Sequence, residues 1–212
     1  MSVFSSRYFL TTDAFLENFS WKDLNWDFRK LKWWSRIYEY QWVNDVCKEF
    51  DKRRSAVDVG TGDEHPGVFL LKSHGFKRVV GIDLIKKSEW KYREYLGNGI
   101  KYVSGDIANG CSGKYDLVMC ISTLEHIHPR TQPRVLKNLM SLVDDGGILL
   151  LTFDMPGCDY KTYLEMLKEF NFSVILEDEG DIPIVKTTNS AVQPSPRTKK
   201  LFCYRICATR NK

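Results

Sequence analysis

The sequence predicts an α/β fold, in which helices cover both faces of a doubly wound, mostly parallel sheet of seven strands. Largely apolar runs at 56–59, 115–120 and 147–153 lack the alternation of a half-exposed strand, which is typical of parallel strands buried on both faces. Segments with helical spacing lie between such runs, as the crossover connections of a parallel sheet require. At 212 residues, the chain is long enough for one domain of this type with its own core.

Strand and helix segments alternate from residue 56 onwards. Pro66 suits the first turn of a helix, and Gly75 is expected to end that helix. The predicted strands are 56–59, 78–82, 100–103, 115–120, 147–153, 172–177 and 201–208; the predicted helices are 66–73, 86–96, a region opened by Pro129, and 160–169. Within the region after Pro129, apolar residues repeat at helical spacing and predict a core-facing stripe of Val135, Leu136, Leu139, Met140 and Val143.

The first 50 residues differ in composition from the rest of the chain. They contain five of the six tryptophans and neither proline nor glycine, and 13–16 and 45–47 fit helical segments. We expect a mostly helical N-terminal cap that is too short and too aromatic to be a separate domain. The predicted organisation is a single domain over 1–212, with the cap at 1–50 and the core at 54–212.

Residues 178–199 interrupt the alternation of strands and helices. The segment begins in an acidic run and continues through Pro183, Pro194 and Pro196. A loop of this length in a compact domain is more often functional than idle. We interpret it as a lid over the acceptor, with a disordered connector as the alternative.

A glycine turn after the first strand indicates a cofactor site. Gly60 and Gly62 follow the strand at 56–59, and Asp83 ends the second strand about twenty residues later. Such a turn lets backbone N–H groups approach a ligand, while the carboxylate can accept hydrogen bonds from ribose hydroxyls. The dinucleotide pattern Gly-x-Gly-x-x-Gly is incomplete, because His65 occupies the third glycine position.

Further motifs follow at 103–107, 115–120 and 146–151. In this order and spacing, they resemble those of the class I S-adenosylmethionine-dependent methyltransferases. The resemblance is close over residues 54–155 and rests on pattern alone in the C-terminal part. It implies a Rossmann-like fold with an antiparallel C-terminal edge strand, and S-adenosyl-L-methionine (SAM) as the cofactor.

The resemblance also implies which residues surround the cofactor. Those implied at the methionine end are Asp58, Gly60, Thr61 and Gly62. Those implied around the adenosine are Asp83 and Leu84 at the ribose and Asp106 and Ile107 at the adenine, with Cys120 at the strand edge that faces the sulfonium. Asp106 has an alternative role as a turn residue.

One position departs from the family pattern. Glu64 stands where members usually carry a third glycine. We expect the loop to accept the methionine moiety, with the Glu64 carboxylate either crowding its carboxylate or meeting its ammonium group.

The segment after the fourth strand carries the candidate bases. Ligands of open α/β sheets bind at the carboxyl ends of the strands, so residues 121–129 should face the transferring methyl group. An alcohol acceptor needs a base for its proton, and we take His126 as the first candidate and His128 as the second. Alternatively, the Glu125–His126 pair serves to pack and cap the next helix. Asp154, after the fifth strand, is the third candidate.

An aromatic block at 33–42 is the candidate acceptor platform. It loosely resembles a block in methyltransferases of glycan and surface-polysaccharide synthesis. Flat aromatic faces can stack on a sugar, while acidic and basic neighbours hold hydroxyls or the cofactor carboxylate. The predicted substrate residues are Trp33, Trp34, Arg36, Tyr38 and Glu39. Aromatic residues at helical spacing also suit a core, which is the alternative.

The predicted function is therefore that of an enzyme, a SAM-dependent O-methyltransferase acting on a sugar or glycan hydroxyl, with a deoxyhexose such as rhamnose as the named example. Two alternatives stay open. The first is a methyltransferase for another small molecule or for RNA. The second is a non-catalytic module that keeps the fold and binds partners through residues 1–50.

Composition narrows the class of protein and its partners. The net charge of +4 and short basic clusters fall short of the continuous basic stripe of nucleic-acid-binding proteins, which argues against a nucleic-acid partner. No apolar run approaches the ~20 residues of a membrane span, and the N-terminus lacks the apolar segment of a signal peptide. Six cysteines without Cys-x-x-Cys or zinc spacing favour a cytoplasmic location. No metal site is predicted, and the oligomeric state is left open.

Overall fold

The computed structural model describes residues 36–64, 66–90, 96–155, 157–180 and 202–212. The strands in these ranges are β1 (Ser55–Val59), β2 (Arg78–Asp83), β3 (Ile100–Ser104), β4 (Tyr115–Ile121), β5 (Val143–Met155), β6 (Phe172–Gly180) and β7 (Phe202–Arg210). The α-helices in the same ranges are α1 (Arg36–Glu49), α2 (Pro66–Ser73), α3 (Gln132–Leu142) and α4 (Tyr160–Glu169). None of these helices is long and apolar enough to cross a lipid bilayer.

The seven strands form one sheet in the order β3-β2-β1-β4-β5-β7-β6. All pairs from β3 to β5 are parallel, whereas β7 runs antiparallel to both of its neighbours. The predicted fold class is thus confirmed, with β7 one place inside the edge and β6 at the edge itself. The strand order reverses between β1 and β4, and a ligand-binding crevice is expected at the carboxyl ends of these two strands.

The helices pack on opposite faces of the sheet and bury two apolar clusters. One cluster joins α1 and α2 to the sheet, and Trp42 of α1 is wholly buried in it. The other joins α3 and α4 to the opposite face. All five residues of the predicted stripe are buried there, although Val143 already belongs to β5 because α3 ends at Leu142.

Some predicted elements differ from the structure or lie outside it. Within the helix predicted over 86–96, Lys87–Glu89 form a 3-10 turn, and residues 91–95 lie outside the described residues. Tyr102 of β3 makes two contacts with this segment. The Trp90 ring stacks on the Tyr102 ring with the centroids 4.8 Å apart, and the Tyr102 hydroxyl donates to Ile85 O at 2.7 Å. Residues 178–180 of the predicted lid extend β6. The rest of that lid, and residues 1–35 of the predicted cap, lie outside the described residues.

A glycine in α2 allows the helix to approach β1 and β4 closely. A Cβ atom on Gly67 would lie 2.3 Å from Asp58 Oδ2 and 2.1 Å from Met119 Cε. Position 65 lacks the third glycine of the dinucleotide pattern, and Gly67 gives the close helix–strand contact two residues later. The helix can therefore begin directly after the cofactor loop and still pack on the sheet.

The variant Gly67→Ala should lower the free energy of unfolding by about 1–3 kcal/mol, because its methyl group overlaps buried atoms of both strands. Urea unfolding measures this change. Gly105→Ala is the control, since its Cβ would meet nothing closer than Val103 Cγ1 at 3.9 Å, and a change below about 0.5 kcal/mol is expected there. Equal losses in the two variants would contradict the close approach at Gly67.

Candidate active site

The turn after β1 has a backbone that favours glycine. Gly60 and Gly62 have φ angles of 78° and 70°, in the left-handed region. The Gly60 N–H donates to Ile82 O at 2.8 Å, which ties the turn to the end of β2. A Cβ atom on Gly60 would also lie 2.1 Å from Thr123 Oγ1, so the turn has no room for a side chain there.

Backbone N–H groups hold the carboxylate of Asp83 in place at the end of β2. Its Oδ2 accepts from the Gly62 N–H at 2.8 Å, and its Oδ1 accepts from the Ile85 N–H at 3.1 Å. Each carboxylate oxygen can accept a further hydrogen bond. The predicted pair of glycine turn and acid is therefore one connected unit, in which the acid is oriented and still able to accept bonds from a ligand.

A cavity of about 360 Å³ opens beside this unit. Asp83, Leu84, Asp106 and Ile107, predicted at the ribose and the adenine, all line it together with Gly60. Leu84 is an apolar side chain that is 72% exposed at this site. Asp106 also caps the 3-10 turn Ile107–Asn109, because its Oδ1 accepts from the Ala108 N–H at 2.8 Å.

The residues of this cavity fit the adenosine part of SAM. A nucleoside needs hydrogen-bond acceptors for its ribose hydroxyls and apolar groups for its base, and a cavity of this size falls within the range of ligand sites. Asp83 provides the oriented carboxylate, and Leu84, Ile107 and Ala108 provide apolar surface. The four predicted adenosine-end residues are thus brought together.

Two of the four predicted methionine-end residues lie deeper, whereas Gly60 and Gly62 are partly exposed. Asp58 and Thr61 are buried, and within the described residues neither Asp58 Oδ2 nor Thr61 Oγ1 has a hydrogen-bond partner. Burial raises the pKa of Asp58 to about 7. Unpartnered oxygens of this kind suit a ligand that donates hydrogen bonds.

Cys120 lies one residue before the carboxyl end of β4. Its side chain is fully buried and packs in the apolar cluster on the α3 side of the sheet, with Val57 and Leu124. Contact of this residue with the sulfonium stays a prediction.

The two candidate histidines line the same cavity as Asp83 and Asp106. His126 ends the 3-10 turn Leu124–His126 that follows β4, and His128 comes two residues later, with its Nδ1 accepting from the Arg130 N–H at 3.3 Å. The structure brings them to the adenosine side of the site. Asp154, the third candidate base, is not among the residues that line this cavity.

A buried polar network joins α1 to the ends of β4 and β5. Arg36 Nη1 donates to Glu39 Oε2 at 2.8 Å, and the hydroxyls of Ser122 and Thr152 donate to Glu39 Oε1. Burial alone would raise the pKa of Glu39. The Arg36 guanidinium and the two hydroxyls outweigh it and hold this pKa below the ordinary value. Glu39 is therefore an ionised, fully paired side chain.

This network corrects one predicted substrate contact. Glu39 has no exposed surface, so it holds Arg36 and the strand ends instead of acceptor hydroxyls. Arg36 is partly exposed and also donates to Ser122 O at 3.3 Å. Trp33, Trp34 and the side chain of Tyr38 lie outside what the structure describes.

Two carboxyl groups lie near this network without hydrogen-bond partners among the described residues. Both side-chain oxygens of Glu125 and Oδ1 of Asp154 are buried, and none of the three forms a hydrogen bond within the described residues. Burial raises the pKa of Glu125 to about 7 and that of Asp154 to about 6, and the negative charge of Glu39 adds to both shifts. The sequence places Glu125 beside His126, but no local pattern of residues predicts its desolvation.

Comparisons with known proteins agree with this geometry. A family model described as a methyltransferase domain matches residues 34–173. The N-methyltransferase NodS from Bradyrhizobium japonicum WM9, in complex with S-adenosyl-L-homocysteine, is similar at a TM-score of 0.63 and 14% identity, over 96% of this chain and 100% of that one. Comparison with curated proteins gives no match.

Two further solved structures are similar in fold. Magnesium protoporphyrin IX methyltransferase from Synechocystis PCC 6803, with bound SAM, has a TM-score of 0.58 and 18% identity, covering 81% of this chain and 78% of that chain. The 1,6-didemethyltoxoflavin-N1-methyltransferase of Burkholderia thailandensis has a TM-score of 0.62 and 14% identity, covering 84% and 81%. With the family model matching most of its length, the chain belongs to the methyltransferase domain family and is a class I methyltransferase with SAM as its cofactor.

Proposed function

We propose that this methyltransferase transfers a methyl group to a hydroxyl of a sugar or glycan acceptor, such as a deoxyhexose of the rhamnose type. One observation carries the proposal for a hydroxyl. Glu125 and Asp154 are partly desolvated carboxyls, unpartnered at buried oxygens, at the carboxyl ends of β4 and β5, and their pKa values are about 7 and 6. A general base works best when its pKa lies near the operating pH.

The cofactor role of each lining residue follows from its chemistry. When bound, SAM supplies a methyl group on a positively charged sulfur that is a good leaving group. Asp83 would accept hydrogen bonds from the ribose hydroxyls, while Leu84 and Ile107 would provide apolar surface for the adenine beside Asp106. Asp58, with its unpartnered Oδ2, would accept from the ammonium group at the methionine end.

The chain's own groups then align the acceptor and remove its proton. Alignment of two reactants can contribute roughly 7–11 kcal/mol, and a positioned base adds about 10²–10⁴-fold. Glu125 or Asp154 takes the hydroxyl proton. His126 and His128, the bases proposed from the sequence, remain candidates, but they line the cavity assigned to adenosine. The described environment therefore favours the carboxyls.

The sugar part of the proposal rests on Trp33, Trp34 and Tyr38, whose aromatic rings suit a sugar face, and on Arg36, which is partly exposed and suits hydroxyls or the cofactor carboxylate. Tyr40 and Trp42 of the same block are buried in the core. The free state of all six cysteines supports the proposed cytoplasmic location.

A nitrogen acceptor on a small molecule is the second candidate. The same two carboxyls would attract a protonated amine and accept its proton before transfer. The names of NodS and of the toxoflavin enzyme describe N-methyltransferases. Transfer of labelled methyl from SAM to matched deoxyhexose glycosides and amino sugars separates the two candidates, with phenols and RNA in the same panel. Label on amino sugars alone would replace the hydroxyl proposal.

The variant Asp83→Ala should weaken binding of S-adenosylhomocysteine by at least ~100-fold, because two charge-assisted hydrogen bonds and the anchor of the glycine turn are lost together. Isothermal titration calorimetry measures the dissociation constant. Asp51→Ala, which removes an exposed carboxylate before β1, is the control and should bind as the wild type does. Unchanged affinity in Asp83→Ala would remove Asp83 from the cofactor site.

Methyl transfer to a hydroxyl should rise with pH and level off above the pKa of the base. A carboxyl with a pKa between about 6 and 7 accepts a proton only in its ionised form, so the rate is lost as pH falls through this range. Glu125→Gln should lower the rate by about 10²-fold or more and leave S-adenosylhomocysteine affinity unchanged. Single-turnover rates from pH 5 to 9 measure both effects.

The control for this variant is Glu165→Gln, an exposed position on α4. It should keep the wild-type rate and pH profile. If Glu125→Gln also kept the wild-type rate and pH profile, and Asp154→Asn lost both, Asp154 would be the base. If His126→Ala alone lost them, the assignment would return to the histidine.

A further inference from the structure

Helix α3 presents a buried carboxamide to the two loops that carry the acidic groups. Gln132 is 3% exposed and its Nε2 donates to Leu124 O at 3.0 Å, Ile127 O at 3.0 Å and Gly157 O at 3.1 Å. Its Oε1 accepts from the Tyr163 hydroxyl of α4 at 2.7 Å. An amide NH₂ has two hydrogens, so three carbonyls share them. The Tyr163 bond determines which end of the amide faces the carbonyls.

These carbonyls flank the two proposed bases. Leu124 and Ile127 enclose Glu125 in the turn after β4, and Gly157 lies three residues after Asp154 in the segment after β5. A Cβ atom on Gly157 would lie 2.9 Å from Glu125 Cβ, so the two loops touch with no side chain between them. Gln132 therefore closes the junction at which the Glu125 carboxyl is buried.

A second carboxamide on the same helix performs the corresponding task on the cofactor side. Asn138 Nδ2 donates to Ile107 O at 2.7 Å and to Ala108 O at 3.3 Å. These two residues line the cavity assigned to adenosine. Asn138 thus bonds the turn beside the adenosine cavity, whereas Gln132 bonds the two loops of the acidic groups, of which Ile127 also lines that cavity.

We propose that Gln132 is a positioning residue that joins the loops after β4 and β5 and so sets the burial and protonation of Glu125, while Asn138 positions the adenine turn. The role assigned to Gln132 rests on the proposed function, in which Glu125 takes the acceptor proton. A residue with only a structural role would lower all properties of the enzyme in proportion to stability. Separate roles predict separate losses.

The experiment compares Gln132→Met and Asn138→Leu, each of similar size to the residue it replaces and without hydrogen bonds. Gln132→Met should lower the single-turnover rate by about 10- to 100-fold, since small misplacements of reacting groups have effects of this size. The affinity of Gln132→Met for S-adenosylhomocysteine should stay within about threefold of the wild type, because a change in alignment can lower the rate without changing binding. Asn138→Leu should instead weaken that affinity by about tenfold, and its pH profile should keep the wild-type midpoint.

A readout without cofactor or acceptor tests the mechanism directly. Carbon-13 NMR titration of the carboxyl groups in the apo protein should show the pKa of Glu125 falling towards its ordinary value in Gln132→Met, because water enters between the separated loops. The same titration in Asn138→Leu should leave this pKa in place. Tyr163→Phe, which removes only the hydroxyl that orients the amide, should give a smaller shift in the same direction and serves if Gln132→Met fails to fold.

An unchanged Glu125 pKa in both Gln132→Met and Tyr163→Phe would overturn the positioning role, whatever the acceptor is. Parallel losses of rate and of cofactor affinity in Gln132→Met would overturn it too. A pKa that moves as expected, in a wild-type enzyme that methylates no hydroxyl, would instead refute the proposed acceptor and support the positioning of Glu125.

Discussion

The rest of the candidate site depends on the hydrogen bonds and the ion pair of Glu39, an ionised side chain with no exposed surface. A buried carboxylate must be paired and hydrogen-bonded, and here Arg36, Ser122 and Thr152 provide the partners. Cys203 of β7 adds its thiol, with Sγ at 3.5 Å from Glu39 Oε1. Loss of one partner from such a pair costs about 3–5 kcal/mol. Helix α1 is therefore joined to β4, β5 and β7 at the carboxyl ends of the central parallel strands.

The same network fixes the path of the chain after β4. Ser122 has a φ angle of 43°, which is uncommon for a residue other than glycine. Its side-chain bond to Glu39 and its N–H bond to Thr152 O at 2.9 Å hold this conformation. Strained residues held in this way concentrate at functional sites. The reversal brings Thr123 against Gly60, so the cofactor turn and the loop with the candidate bases share one contact.

The site then separates into two chemical halves. The half proposed for adenosine is a cavity lined by Asp83, Asp106 and apolar residues, and both candidate histidines line it. The other half is less hydrated and holds Glu125 and Asp154, whose burial keeps part of each population protonated near neutral pH. Burial and not residue type raises the pKa of Glu125 and of Asp154, since desolvation is the largest cause in both cases.

The sequence by itself determined the alternation of strands and helices, the turn with Gly60 and Gly62, and the position of Asp83. These features are local, since a positive φ, a buried apolar run and an acid at a strand end each depend on a few neighbouring residues. The helical stripe of α3 was predictable for the same reason. The 3-10 turn at Lys87–Glu89 was not, because the stacking of Trp90 on Tyr102 beside it depends on a strand further along the chain.

Tertiary contacts, in contrast, determine the burial of Glu39, Cys120 and the Glu125 carboxyl oxygens. Glu39 meets Ser122 and Thr152 across 83 and 113 residues of sequence, and these contacts turn a predicted substrate residue into an internal partner. Cys120 lies in the core because α3 covers that face of β4. The pKa of Glu125 depends on which groups exclude water around it. Burial and pairing arise between distant parts of the chain, so a local pattern of residues does not contain them.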